Sequence, residues 1–187
     1  DITSVKQDEQ KEKIMTESLK KQQEFLLQLS LKRIADSESE YNYFANIVER
    51  VSQLLGITRV GVWFYNDQKI SCKVLIDRGV ITKHEDYFLL ENEHPSYFYA
   101  IKNDYVIKAE NAKSHPHTYE FGDSYFEEHN IKSLMDVPIR YQGELYAIIC
   151  CEQTETYKQW TDQEANFIKQ VADILASEFS DYKRKQT

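Results

Sequence analysis

Two pairs of β-rich runs, each interrupted by a short polar turn, constrain the fold of this chain most strongly. The first pair is ITRVGVWFYN and KISCKVLIDR, with Asn66 and Asp67 between the apolar runs. The second pair lies within SLMDVPIRYQGELYAIICCEQ and turns near Gln142 and Gly143. Runs of this composition joined by such turns are typical of antiparallel hairpins. The chain is therefore predicted to contain an antiparallel sheet, to which the short run YVIKAEN adds one strand.

Amphipathic helical segments flank these strands. The patterns Ser37-x-x-Glu40 and Thr161-x-x-Glu164 are capping boxes, and Gly56 follows the first segment as a helix stop. Apolar residues at helical spacing indicate a helix packed on a core. The two apolar faces consist of Phe44, Ile47, Val48, Val51, Leu54 and Leu55, and of Phe167, Val171, Ile174, Leu175 and Phe179. The predicted fold class is α+β.

The N-terminal segment, residues 8–34, is rich in Gln, Glu, Lys and Leu and has no proline or glycine, which predicts one long helix. Met15, Leu19, Leu26 and Leu29 fit a heptad-like stripe that Gln22 and Arg33 interrupt. Two interpretations stay open. The stripe either forms a dimeric coiled coil or rests on the apolar surface of its own domain.

Composition excludes several function classes. The chain has 187 residues and carries 31 acidic against 23 basic residues, a net charge of -8, so nucleic acid is an unexpected partner. No apolar run approaches the roughly 20 residues that span a bilayer, and the charged start lacks the apolar centre of a secretion signal. Three cysteines without a spaced framework favour a reducing compartment, and we expect a cytoplasmic protein. Because the chain starts at Asp1, we also expect a piece of a longer protein.

The segment between the two hairpins, residues 79–133, differs in composition from the rest of the chain. It holds all five histidines, two of the three prolines, and eight tyrosines or phenylalanines between residues 97 and 126. Long connections in compact domains are usually functional. Short helices such as PSYFYAIK and DSYFEEHN would bury their rings over one face of the sheet. Such a cover either fills that face or closes a pocket on it.

Taken together, the residues resemble a known family. The series ITRVGVWFY, HPSYFYAIKNDYVIKAENAKSHPHTYEFGDSYFEEHNIKSLMDVPI, GELYAIICCEQ and QWTDQEANFIKQVADILA is similar to the GAF domains of bacterial signalling proteins. The resemblance covers residues 37–180 and is most specific over residues 133–176. It implies a central antiparallel sheet of five or six strands, with terminal helices on one face and loops and short helices covering a pocket on the other.

The resemblance also implies a domain organisation and a role. Residues 1–36 would be a signalling helix, residues 37–180 the GAF domain, and residues 181–187 the end of a helix that leads to an output domain outside this sequence. The expected role is a sensor module of a histidine kinase, nucleotide cyclase or similar protein. It would bind an unidentified small molecule, with the cofactor unknown, and form a homodimer through its terminal helices. The alternative is a ligand-free dimerisation spacer, and fold alone does not decide between them.

Strand alternation locates the expected ligand site, since successive side chains point to opposite faces. Val60, Val62 and Phe64, with Leu145, Ala147, Ile149 and Cys151, are predicted to face the helices. The opposite face and its cover supply the candidate ligand-binding residues Trp63, Tyr65, Phe98, Tyr119, Phe126, Asp136, Tyr146 and Cys150. Asp136 stands in an apolar run, so it either contacts ligand or bonds to backbone amides of the cover, and these two roles are weighted equally.

Sharper chemical assignments have less support. Adjacent Cys150 and Cys151 point to opposite faces and have no basic neighbour in sequence, which favours buried structural thiols over a redox pair. The sequence His115-Pro116-His117 lacks further ligands at metal-site spacing, so no metal is expected. Bilin attachment, methionine sulfoxide reduction and cyclic-nucleotide binding occur in GAF proteins, but their characteristic motifs are not evident here. No catalytic residue is assigned.

Overall fold

The computed structural model describes residues 1–84, 86–103 and 105–186 of the chain. The helices are α1 (Ile2–Leu31), α2 (Glu40–Leu55), α3 (Pro95–Lys102), the single turn α4 (Glu127–His129) and α5 (Asp162–Gln186). The strands are β1 (Arg59–Asn66), β2 (Lys69–Asp77), β3 (Val80–Thr82), β4 (Phe88–Leu90), β5 (Ile107–Ala109), β6 (Ile131–Tyr141) and β7 (Glu144–Thr154). Short helical turns occupy Ile34–Asp36, Glu91–Glu93, Tyr119–Phe121 and Gly122–Phe126.

The strands form one antiparallel sheet in the order β3-β2-β1-β7-β6-β5, with β4 also paired to the outer edge of β2. Both predicted hairpins are confirmed. Their two-residue turns lie at Asp67 and Gln68, with φ of 50° and 58°, and at Gln142 and Gly143, with φ of 52° and 81°. Positive φ at both central residues matches the twist of the flanking strands. The three-residue strands β3 and β4 were not predicted, because so short a run shows no periodicity.

Helices α2 and α5 pack on one face of the sheet, as predicted. Their apolar faces are buried with Val60, Val62 and Ile149 in one core cluster. Thr161 and Glu164 form the expected reciprocal cap of α5, with hydrogen bonds of 3.0 and 3.1 Å. The first cap differs from the prediction: α2 starts after Ser39, whose Oγ accepts a bond from the Asn42 amide.

Helix α1 combines the two interpretations that its sequence left open. Gln22, Phe25 and Leu29 are buried against the chain's own core, and the Phe25 ring lies 6.2 Å from that of Phe167 in α5. Leu29 is therefore not available to a coiled-coil partner, which corrects the heptad assignment at that position. Met15 and Leu19 are 59% and 37% exposed. Only this earlier part of the stripe remains open to another molecule.

The opposite face of the sheet is covered by the cover segment, the name used here for residues 79–133. Rings from α3 and from the turns after β5 form a second core cluster with Trp63, Ile148 and Cys150. The sheet is thus enclosed between terminal helices and an aromatic cover, as the α+β prediction required. No helix among the described residues has the length and hydropathy needed to cross a membrane.

Candidate functional site

A small cavity lies between the sheet and the cover segment. Its volume is about 10 Å³, which is room for about one water molecule. The walls are mostly rings and aliphatic groups, interrupted by two carboxyl groups. The lining side chains are Trp63, Ile70, Leu89, Tyr97, Phe121, Tyr125, Phe126, Leu134, Asp136, Cys150 and Glu152.

The strand register places Gly61, Cys150 and Asp136 side by side across the floor of this cavity. Gly61 of β1 pairs with Cys150 of β7, which in turn pairs with Asp136 of β6. Neighbouring strands lie about 4.8 Å apart, so Gly61 and Asp136 are separated by about two strand spacings. A small molecule above Cys150 would therefore meet β1 on one side and Asp136 on the other.

Asp136 is a buried acid with only part of its hydrogen-bonding capacity used. Its side chain is 2% exposed, and the Tyr97 hydroxyl donates to Oδ2 at 2.5 Å. Oδ1 has no hydrogen-bond partner, although the Cys150 thiol is a neighbour of the carboxyl. Burial raises the pKa of Asp136 to about 8, with Glu152 adding to the rise and the Tyr97 bond opposing it. The acid is therefore mostly protonated at neutral pH and can donate a hydrogen bond.

Trp63 supplies a second unpaired polar group. The side chain is 1% exposed, and its Nε1 has no hydrogen-bond partner. The indole lies over Gly61, where an added Cβ would stand 2.8 Å from Nε1. This close approach explains the glycine at position 61 within an otherwise apolar strand. A buried N–H group without an acceptor is uncommon, and such groups often mark the site of a bound molecule.

The next row of the sheet carries a buried ion-pair network. Asp77, Arg59 and Glu152 stand side by side on β2, β1 and β7. Arg59 Nε donates to Glu152 at 2.8 Å, Nη1 donates to Asp77 at 2.6 Å, and Nη2 donates to the Tyr125 hydroxyl at 3.0 Å. Burial alone would lower the pKa of Arg59, but Glu152 and Tyr125 outweigh it and the pKa is raised. Arg59 stays charged and ties the sheet to Tyr125 of the cover segment.

A much larger open groove runs beside the cavity, with a volume of about 580 Å³. The Tyr87 hydroxyl and Nε2 of His129 share a hydrogen bond of 3.1 Å across it. Burial, followed by the charge of Arg59, lowers the pKa of His129, so the imidazole is neutral at pH 7. The groove is lined by Arg59, Leu75, Asp77, Arg78, Val80, Thr82, His84, Tyr87, Glu128 and His129.

The structure brings four of the eight predicted site residues to the cavity wall: Trp63, Phe126, Asp136 and Cys150. Tyr65 and Phe98 belong to the same face, with ring centroids 6.0 Å apart, but do not line the cavity. The Tyr65 hydroxyl instead donates to Glu91 at the rim of the cover. Two thirds of the predicted site thus shares one face of the sheet.

Two predicted site residues lie elsewhere. Tyr119 is 53% exposed, because it begins a helical turn in which Phe121 takes the inward position. Tyr146 lies on the helix face, 4.8 Å from the ring of Phe179. The cause is a bulge: Ile139 pairs with Ala147 and Arg140 with Leu145, so Tyr146 is an extra residue in β7. Beyond the bulge the alternation is reversed, and Leu145 joins the cavity face.

Several cavity and groove residues were missed from the sequence. Glu152 could have been found, since it stands two residues after Cys150 and must share its face. Arg59, a charge at the start of an apolar run, was a comparable sign of a buried pair. Tyr87, Tyr97 and Tyr125 had no such sign, because the positions of rings in an irregular segment depend on tertiary packing.

The cysteines and histidines offer little reactivity. Cys150 lines the cavity, Cys151 lies in the helix-side core, and Cys72 is also a buried free thiol. Burial first, and Asp136 second, raise the pKa values of Cys150 and Cys151, so both remain thiols at neutral pH. Burial also lowers the pKa of His115. Among residues 1–84, 86–103 and 105–186, no group of three or more His, Cys, Asp or Glu side chains is placed to hold a metal.

Solved structures with this architecture confirm the fold. The chain superposes on the GAF domain of a phosphoenolpyruvate-protein phosphotransferase from Coxiella burnetii with a TM-score of 0.70 and 17% identity, over 88% of this chain and 96% of that one. The phycoerythrobilin-bound GAF domain of a cyanobacterial phytochrome gives 0.69 and 16% over 89% and 98%. Free methionine-R-sulfoxide reductase from Neisseria meningitidis, in complex with its substrate, gives 0.68 and 15% over 88% and 91%.

Sequence comparison assigns the family directly. No curated protein matches the chain. The family described as GAF domain matches residues 42–179, about three quarters of the chain. GAF domains are sensory and generally regulatory modules, and some of them bind bilins. By this match and by its fold, the chain belongs to the GAF domain family.

Proposed function

We propose that this chain is a sensor module that binds a small molecule in the cavity between sheet and cover segment and transmits occupancy through its terminal helices. The observation that carries the proposal is the pair of buried, unpartnered polar atoms at one cavity, Trp63 Nε1 and Asp136 Oδ1. Each such atom costs about 1–3 kcal/mol when it is left without a partner. A bound molecule that satisfies both would recover that free energy.

The chemistry of these two atoms restricts the ligand. The Trp63 indole is always a donor, and the protonated acid of Asp136 is a donor as well. The ligand would therefore present acceptor oxygens, as in a carbonyl or carboxyl group, to both positions. Because the cavity measures about 10 Å³, anything larger than water requires the cover segment to move. Covers that open and close over a site belong to the less stable parts of a domain.

The proposed role is regulatory and not catalytic. Nucleophilic catalysis needs a group that is deprotonated or paired with a base. The pKa values of Cys150 and Tyr97 are both raised by burial, so these cavity groups stay protonated at neutral pH. They suit binding and packing better than covalent chemistry.

Transmission would run through the sheet. Cys150 forms part of the cavity floor, and the next residue, Cys151, lies in the core beneath the helices. A shift of β7 would therefore move both layers together. We propose that two copies pair through the exposed part of α1, where Met15 and Leu19 remain accessible. Movement in such a helical pair would reach an output domain along the helix axis.

The alternative is a spacer whose pocket is filled by its own side chains. The small size of the cavity favours this alternative, since Phe121, Tyr125 and Phe126 already occupy most of the space under the cover. In that case Trp63 Nε1 and Asp136 would be satisfied by one trapped water. The two candidates differ in whether any small molecule stabilises the fold.

A thermal-shift screen with small carboxylic acids, amides and ketones tests the proposed function. We expect some of these compounds to raise the melting temperature, because a ligand that binds only the folded state stabilises it. Trp63→Phe retains a ring but lacks the N–H group, and it should weaken binding by about ten-fold. Trp160→Phe is the matched control, since Trp160 lies in the helix-side core and donates to the Ala109 carbonyl.

Hydrogen exchange identifies where a binding compound acts. Protection should rise across residues 79–133 in the wild-type protein. A compound that binds Trp63→Phe as tightly as wild type, or that protects only α1 and α5, would place the site elsewhere. Failure of every compound to bind, together with a native mass that equals the bare chain, would favour the spacer.

A further inference from the structure

We propose that the open groove is the outer half of the ligand site and that Tyr87 is the gate between the groove and the inner cavity. This inference rests on the proposed function, since it describes how a ligand reaches the same cavity. It also extends the site to residues that neither the family match nor the sequence pattern assigned.

Tyr87 stands between the two spaces. On its inner side, the ring lies 5.6 Å from that of Trp63 and 5.9 Å from that of Tyr125, both of which line the cavity. On its outer side, Tyr87 lines the groove together with His129. A different rotamer of this one ring would therefore join the groove to the cavity.

The restraints on Tyr87 favour movement of the side chain over movement of the backbone. Its carbonyl accepts a hydrogen bond of 2.9 Å from the Cys72 amide in β2, and its own amide donates to His84 at 2.8 Å. The hydroxyl is held by its bond to His129, and a neutral bond of this kind contributes little net free energy. The backbone is thus anchored to the sheet edge, while the ring is released by one modest interaction.

The two volumes set the size and polarity of the ligand. The inner cavity of about 10 Å³ and the groove of about 580 Å³ suit a molecule with a small polar end and a larger body. Within the groove, the cations Arg59 and Arg78 are paired with Asp77, so the body need not be charged. Leu75, Val80 and the Tyr87 ring offer it apolar surface. The ligand class is an elongated, largely uncharged molecule that leads with a carbonyl or carboxyl group.

Cys150 provides a test that needs no ligand, because its thiol lies at the cavity floor beyond the proposed gate. Two backgrounds isolate the adjacent cysteines: Cys72→Ser with Cys151→Ser, which retains Cys150, and Cys72→Ser with Cys150→Ser, which retains Cys151. The probe is iodoacetamide, and the alkylation rate of the native protein is followed by intact mass. Cys151 lies on the opposite face of the sheet and reports general loosening.

Opening the gate should expose Cys150 alone. Tyr87→Ala should speed alkylation of Cys150 at least ten-fold and leave the rate at Cys151 unchanged. Tyr87→Phe, which removes only the hydroxyl bond to His129, should speed it about five-fold. Tyr99→Ala is the matched control, since Tyr99 is an exposed ring of the cover segment, 66% accessible, that lines neither space.

Two results would overturn the gate. One is an unchanged Cys150 rate in both Tyr87 variants, and the other is an equal acceleration at Cys150 and Cys151. If Tyr87→Ala does not fold, Tyr87→Phe decides the question by itself. Because the measurement uses no ligand, a failed ligand screen contradicts the sensor role without affecting this result, and the reverse also holds.

Discussion

At the scale of single residues, Asp136 has the largest predicted effect on how the domain responds to pH. Its carboxyl is enclosed by Tyr97, Cys150 and the wall of the cavity, and its pKa is raised to about 8, chiefly by burial. In the unfolded chain the same group ionises near pH 3.9. The folded state therefore binds a proton that the unfolded state lacks over the pH interval between these values.

This difference predicts how stability changes with pH. The unfolding free energy should fall as pH rises from about 4 to about 8, and the contribution of Asp136 should be constant below and above that interval. Asp136→Asn imitates the neutral acid and cannot ionise. We expect the variant to be more stable than wild type at pH 8, by on the order of a few kcal/mol, and to match it near pH 4.

Urea unfolding at pH 5 and pH 8 measures this effect. Asp8→Asn, on the exposed part of α1, is the control and should keep the pH dependence of the wild-type protein. Equal slopes in wild type and Asp136→Asn would mean that Asp136 is ionised in the folded protein. The neutral donor assigned to the cavity would then be wrong.

At the scale of secondary structure elements, the bulge in the β6–β7 hairpin decides which rings face the helices. Tyr146 packs against Phe179 of α5 and, at 5.6 Å, against Phe64 of β1. Regular alternation would have placed Tyr146 in the cavity. The extra residue also strengthens the local twist, as bulges do, and it brings Leu145 to the cavity face.

The bulge predicts a separation between stability and cavity access. Tyr146→Ala should lower the unfolding free energy by about 1–3 kcal/mol, because a partly buried ring is removed from the α5 interface. Tyr146→Phe, which retains the ring, should lose less. Thermal unfolding measures both, and the Cys150 alkylation rate serves as the control. A changed Cys150 rate with unchanged stability would place Tyr146 on the cavity face after all.

At the scale of the whole molecule, the position of α1 determines which residues can join two copies. Phe25 and Leu29 are 3% and 4% exposed within the chain's own core, whereas Met15 and Leu19 are accessible. An interface between copies would therefore use the first half of α1, which makes few contacts with its own domain. A single helix of this length is marginal in water without a partner.

We predict that replacing Met15 and Leu19 with Glu yields folded monomers. The same change at Leu29 should instead unfold the domain, since it buries a charge in the core. Sedimentation reports the assembly state, and circular dichroism reports the fold. A wild-type protein that is monomeric at tens of micromolar, a rough working range for a modest coiled coil, would end the dimer proposal.

Much of the fold could be predicted because its determinants are local. The turns at residues 67–68 and 142–143, the Thr161 cap and the apolar stripes of α2 and α5 depend on residues a few positions apart. Four of the eight predicted site residues reached the cavity wall by the same two-residue alternation. That rule was sufficient wherever a strand ran without interruption.

The sequence by itself determined the α+β class, the two hairpins, the helix faces and the general location of a covered face. Only the tertiary structure decided that Tyr146 leaves that face, that Leu29 belongs to the core, and that Arg59 pairs with Glu152, 93 residues away. The physical reason is the range of the interactions. Backbone geometry and helical or strand periodicity act over a few residues, whereas strand register, bulges and ring packing are set by contacts between distant segments, which no local pattern encodes.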